Sequence, residues 1–197
     1  PPPAFRCSGS PIADQGGTGR KAERGVTLST LTQGSASVAA YEPNQRDEGE
    51  SLMIQTRGAV LKEGGNGWNV VDIQFEDPRQ GEVAVKMTAS GLCHSDDHAV
   101  TGDLPVPMPF IGGHEGAGVI SAVGPNTPGY EVGDHVIMSF LPGCGRCRWC
   151  ASGMQNLCDS GAVLLAGTRA DGSYRATVDG VPAGQMCTIS TFCEDTV

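Results

Sequence analysis

The chain lacks any long apolar run: no window approaches 18 consecutive apolar residues, so a membrane-spanning helix is not expected. Positive charge is also scarce. Thirteen Lys and Arg stand against 22 Asp and Glu in 197 residues, a formal net charge of -9. Such a surface repels phosphate backbones, so no nucleic-acid partner is expected. Aromatic residues make up 5% of the chain. The N-terminal "PPPAFRCSGSP" has neither the charged segment nor the apolar segment of a secretory signal. No G-x-G-x-x-G follows a strand pattern, and no alternation of strands with helices is visible, so a dinucleotide-binding Rossmann unit is not expected within these residues.

What is abundant is glycine, 29 residues, together with eight cysteines. Residues 1–52 are rich in Gly, Ser, Pro and charge, with no apolar periodicity, and are expected to be a disordered leader. The chain begins with Pro, and the first clean strand pattern opens at Met53 with "MIQTRGAV", so a start near Met53 is expected. From there the pattern is β. "GEVAVKM" alternates, with Val83, Val85 and Met87 on one face and Glu82, Ala84 and Lys86 on the other. "GVISAVG" and "DHVIMSF" add short strands around the turn-rich "PNTPGYEVGD". Short strands at close spacing point to a sandwich or barrel. No long amphipathic helix and no repeat is visible.

Four cysteines, Cys144, Cys147, Cys150 and Cys158, have the spacing C-x2-C-x2-C-x7-C. Two-residue gaps let one turn aim two thiolates at a single ion, and four thiolates close a tetrahedron around Zn2+. A closed tetrahedron leaves no open position, so this site is read as structural. An iron–sulfur cluster fits less well: the last gap is seven residues and Asp159, not Pro, follows. Two disulfides would need an oxidising compartment. A reduced, cytoplasmic location is the expectation.

A second concentration lies at "GLCHSDDHAVTGD", residues 91–103, where one Cys, two His and two Asp fall within six positions. About twenty residues on, "GGHEGAG" sets His114 and Glu115 among four glycines. Taken alone, His114 reads as a turn histidine. Paired with Cys93, the reading as a metal ligand becomes stronger.

"GLCHSDDHAVTG", "GGHEGAGVISAVG" and "CGRCRWCASGMQNLC", in this order and spacing, resemble the zinc-dependent medium-chain alcohol dehydrogenases. The likeness runs from about Gln55 to the C-terminus. "CTISTF" and "NLCDSGAVLLAGTRADGSYR" are most similar to the bacterial nitrosoaniline-dependent branch, and the glutathione-dependent formaldehyde dehydrogenase branch is a close alternative. The resemblance implies a mostly β, chaperonin-10-like (GroES-like), partly open barrel over 53–197, with a zinc-bearing excursion at about 142–160. It implies that Cys93 and His114 are two ligands of a catalytic zinc, and that Cys144, Cys147, Cys150 and Cys158 hold a structural one. It further implies that Asp96 orients the liganding histidine, that Glu115 lies behind the metal, that Ser95 and His98 relay a proton, and that His94 approaches the pyrophosphate of NAD. The implied reaction interconverts a small-molecule alcohol and aldehyde by hydride transfer, in an enzyme expected to be a homo-oligomer when complete.

Two parts of that pattern are not found. No Gly-Cys-Gly turn, the family's source of a third catalytic cysteine, lies downstream of the four-cysteine segment. Cys187 and Cys193 fall in strand-like sequence and read as small buried hydrophobes, and Cys7 receives no role. With the dinucleotide unit absent as well, the chain reads as the catalytic half of a dehydrogenase and is expected to be inactive by itself. Two rival readings stand beside this one. The first is a zinc-stabilised binding module without chemistry; the second is a zinc-free, quinone-reductase-like enzyme, which the cysteine pattern disfavours.

Overall fold

The computed structural model describes residues 53–64 and 66–197. The expected leader, 1–52, lies outside the described residues. Within them, β1 (Ile54–Leu61) pairs antiparallel with β2 (Asn69–Phe75), in a register running from Ile54 opposite Phe75 to Val60 opposite Asn69. Strand β3 (Val83–Ser90) is followed by helix α1 (His94–Thr101), then β4 (Phe110–Ile111), β5 (Gly116–Val123) and β6 (His135–Met138). A short helix α2 (Arg148–Ala151) and two 3-10 turns lead to β7 (Ala176–Val178), β8 (Val181–Gln185) and β9 (Asp195–Thr196).

Five strands close a barrel in the order β1-β2-β7-β8-β4, and a four-stranded sheet runs β6-β5-β3-β9. Closure depends on one short parallel pairing of β4 with β8, Phe110 opposite Gly184 and Ile111 opposite Gln185. Closure removes free sheet edges, which for strands this short would otherwise leave backbone groups unpaired. The mostly β, barrel-type architecture expected from the sequence is what is found.

Val60, Ile73, Phe75 and Ile111 are fully buried at the barrel core. Burying a side chain of this size contributes about 1.5–3 kcal/mol each. The alternation expected on β3 is broken: Ala84 is as buried as any core residue, while Met87 is half-buried. The reason is irregular pairing with β5, whose register shifts between Ala84 and Val85 and again between Met87 and Ala89. Each shift rotates the following side chains relative to the two-residue period.

Helix α1 is short because Gly102 ends it in a left-handed turn at φ 82°. Its start is held by Asp96, whose Oδ2 accepts the backbone N–H of Cys93 at 3.0 Å. This is the return arm of a capping arrangement. Ala99 on its inner face packs with Leu61, Phe110 and Met186. That contact fixes the helix against the barrel and so fixes the turn that carries Cys93. Among the described residues no helix is long and apolar enough to cross a membrane.

Candidate metal centres

The four-cysteine segment folds as its spacing demands. Sγ atoms of Cys144, Cys147, Cys150 and Cys158 all lie within 4.8 Å of one another. The Cys144–Cys150 sulfur pair is 4.0 Å apart. Four sulfurs bonded at about 2.3 Å to one tetrahedral ion stand about 3.8 Å apart, so the cluster has the dimensions of a metal cage and not of two disulfides. All the described cysteines are free. Backbone amides support the sulfurs: Cys147 N donates to Cys144 Sγ, Cys150 N to Cys147 Sγ and Cys144 N to Cys158 Sγ, each at 3.4 Å. Backbone donation from Cys144 and Ser160 pulls the Cys158 thiol down to about 6, while burial pushes Cys150 up to about 12. Arg148 lies over the Trp149 ring, 4.5 Å from its centroid.

The second cluster joins two distant segments. Donor atoms of Cys93, His114 and Glu115 also lie within 4.8 Å of one another. Cys93 caps α1, and His114 and Glu115 sit in the turn between β4 and β5. Asp96, 2% exposed, ties the two turns together. Its Oδ1 accepts the backbone N–H of Gly113 at 3.3 Å and lies 3.4 Å from Nδ1 of His114. That ring nitrogen is buried and makes no aligned hydrogen bond. The backbone carbonyl of Glu115 accepts from Gly91 N, Ser90 Oγ and Thr191 Oγ1 at 2.9–3.0 Å, which leaves its carboxylate free to face the cluster.

Glycine is required here for a physical reason. Gly113 has φ 86°, and a Cβ placed on it would meet Phe192 and Thr191 at 2.5 Å. A Cβ on Gly91 would lie 2.4 Å from Oε2 of Glu115. The chain presses against bare backbone on both sides of the histidine turn.

Cys93, His114 and Glu115 line one cavity of about 490 Å3 with Ser95, Leu104, Phe140, Leu164, Leu165, Met186 and Cys187. Phe140 meets His114 edge to face, with centroids 6.1 Å apart. Ser95 Oγ is 3.6 Å from Cys93 Sγ. His98 does not line this cavity; its Nδ1 lies 3.4 Å from Asp103 Oδ2, and among the described residues no hydrogen bond joins it to Ser95. His94 is exposed, with Nε2 3.4 Å from Asp97 Oδ2. Glu115, read from the sequence as lying behind the metal, has its carboxylate within the donor group.

Cys187 is the residue whose placement differs most from the sequence reading. It sits in a 3-10 turn with φ 51°, not in a strand, and it faces the cavity. Burial, helped by the negative Asp96, pushes its thiol up to about 11, so near neutral pH it is a neutral, soft wall. Cys193 is buried as expected; it bridges to Gly58 and donates to the Ser190 carbonyl at 2.8 Å. Phe140, Leu164 and Leu165 were not singled out in the sequence. No local spacing marks them, because Phe140 and the adjacent pair Leu164 and Leu165 come from separate segments of the chain.

Comparison with known proteins identifies a family. The family described as alcohol dehydrogenase GroES-like domain matches residues 79–191. An NDMA-dependent alcohol dehydrogenase of Amycolatopsis methanolica is 48% identical over 141 residues, covering 72% of this chain and 38% of that protein. A putative alcohol dehydrogenase D of Mycobacterium tuberculosis is 49% identical over the same length, with the same coverage. The chain thus spans 38% of the length of these curated relatives. Among solved structures, an alcohol dehydrogenase zinc-binding domain protein from Burkholderia ambifaria superposes with a TM-score of 0.69 at 34% identity, over 73% of this chain and 40% of that one.

Proposed function

Because the chain belongs to the alcohol dehydrogenase GroES-like domain family, we propose that it carries the metal-binding and proton-transfer half of an enzyme that interconverts an alcohol and an aldehyde with NAD. The observation that carries this reading is the convergence of Cys93, His114 and Glu115 on one apolar-walled cavity.

The donor set fits zinc. A soft thiolate, an imidazole and a carboxylate are the three ligand types that zinc accepts, and three protein ligands leave one position for a substrate oxygen. Asp96 facing Nδ1 of His114 fits a histidine that gives its other nitrogen to a metal, since such rings usually direct the free N–H to a carboxylate. Bound there, zinc supplies a Lewis acid that makes an alcohol hydroxyl acidic near neutral pH.

The chain's own residues do the rest. Leu104, Phe140, Leu164 and Leu165 exclude water and hold the apolar part of the alcohol. Ser95, beside Cys93, accepts the hydroxyl proton, and His98, held by Asp103, passes it to solvent. That transfer requires the His98 side chain to turn toward Ser95. His94, exposed at the start of α1, would contact the cofactor pyrophosphate. The four-cysteine cage would hold a second zinc, which would order the segment from 142 to 160. A nicotinamide cofactor, when bound, would supply the hydride acceptor.

The test joins the full chain to the part of the Amycolatopsis methanolica relative that lies beyond the match. Alcohol-dependent NAD reduction is expected, falling to background in both Cys93→Ala and His114→Ala. Unchanged turnover in both variants overturns the proposal.

A further inference from the structure

Helix α1 presents two imidazoles one turn apart. His94 and His98 stand at i and i+4, so they share one face. Their ring centroids are 4.6 Å apart with the planes tilted by 35°. Both side chains reach solvent, His94 at 79% and His98 at 46% exposure.

Each ring has a carboxylate on one nitrogen and not on the other. Asp97 Oδ2 is 3.4 Å from Nε2 of His94, and Asp103 Oδ2 is 3.4 Å from Nδ1 of His98. Asp103 is itself fixed, accepting Thr101 Oγ1 at 2.7 Å. A carboxylate that takes the N–H of a neutral imidazole makes the opposite nitrogen the lone-pair donor. That leaves Nδ1 of His94 and Nε2 of His98 as two nitrogen donors on one helical turn.

We propose that His94 and His98 form a surface site for a divalent transition-metal ion, separate from the two cysteine-containing clusters. Neither histidine lines the cavity that Cys93 and His114 share. Two imidazoles bind the ion, rotating from their near-stacked arrangement as they close on it. Water fills the remaining positions, and Asp97 and Asp103 add negative charge beside it. Nitrogen donors of this kind favour copper, nickel and zinc. Magnesium and calcium, which need an oxygen cage, are excluded. An ion held here would clip together the two rings that the proposed function assigns to the cofactor and to proton transfer. Excess metal would then act as an inhibitor at a point outside the cavity.

The test does not depend on turnover, so it stands or falls apart from the proposed function. Nickel is titrated calorimetrically into the full chain loaded with two zinc ions and dialysed free of excess zinc, so that the weaker surface site starts empty; copper is avoided because it oxidises thiols. One nickel ion should bind beyond the zinc complement, with no zinc released. His94→Ala and His98→Ala should each weaken it about tenfold or more, equivalent to about 1.4 kcal/mol per factor of ten. His135→Ala, which removes an exposed histidine on β6, should leave it unchanged. The proposal is overturned if no further nickel binds, if binding survives both α1 substitutions, if it is lost with His135, or if nickel enters by displacing zinc.

Discussion

Oδ1 of Asp96 lies 3.4 Å from Nδ1 of His114, while Oδ2 of the same carboxylate holds the backbone N–H of Cys93. One buried side chain therefore sets the spacing between two proposed ligands that are 21 residues apart in the chain. Asp96→Asn keeps the shape but weakens the hold on the histidine ring. Zinc affinity at the Cys93 site should fall by about 10–100-fold, as is usual when such a partner is lost. Chelator competition measures it, and the four-cysteine zinc should be unaffected.

The four-cysteine cage should fold its own segment and little else. Cys158→Ser, or removal of the zinc, should expose residues 142–163 to protease while the barrel retains its β circular dichroism. Zinc binding there must also displace protons. Cys150 stands at about 12 and Cys158 at about 6 in the metal-free fold, so proton release on zinc binding comes mainly from Cys150 and from whichever other thiols are still protonated. Zinc affinity should fall as the solution is acidified, and calorimetry in buffers of different ionisation enthalpy measures the proton count.

Gly113→Ala tests the histidine turn. A methyl group there meets Phe192 and Thr191 at 2.5 Å, at a φ of 86°. Overpacking of this kind costs about 1–3 kcal/mol, and the left-handed backbone adds to it. The urea midpoint should shift down, and zinc at the Cys93 site should weaken along with it.

Glu82 links β3 to the segment before β7. Its carboxylate takes Arg175 Nε at 2.9 Å and lies 3.6 Å from Arg169 Nε. Burial acts to raise its pKa, but Arg175, the Arg79 amide and Arg169 outweigh that and hold it below its ordinary value of 4.5. A depressed carboxylate stabilises the fold above its unfolded-state pKa and loses that contribution as pH falls through the folded value. Stability should therefore drop below about pH 4.5 in the wild type, and Glu82→Gln should flatten that drop. At neutral pH, Glu82→Gln removes the carboxylate that Arg175 hydrogen-bonds, leaving it Ser173 and the Tyr174 carbonyl, and should cost on the order of 3 kcal/mol in urea unfolding.

How far the sequence revealed these features depended on how local each one is. The clustering of Cys144, Cys147, Cys150 and Cys158 was legible because all four thiols lie within fifteen residues, and two-residue gaps bring sulfurs to one place. The pairing of Cys93 with His114 was legible through the resemblance of their flanking motifs. Spacing does not show that a capped helix and a strand turn converge. Glu115 entered the donor group because three hydrogen bonds to its carbonyl fix the turn, and all three partners, Ser90, Gly91 and Thr191, are far away in sequence. The cavity walls were not legible at all, since Phe140, Leu164 and Cys187 meet only once the chain is folded. Barrel closure through two residues of β4 was equally hidden, as a strand so short has no period to detect.

Zinc counting by mass spectrometry under non-denaturing conditions addresses the central claim most directly. Two zinc ions per wild-type chain are expected, the one in the four-cysteine cage held more tightly. Removing Cys93 and His114 together should leave one ion, and Cys144→Ser should instead remove the other. Two ions still bound after loss of both Cys93 and His114 would contradict the account.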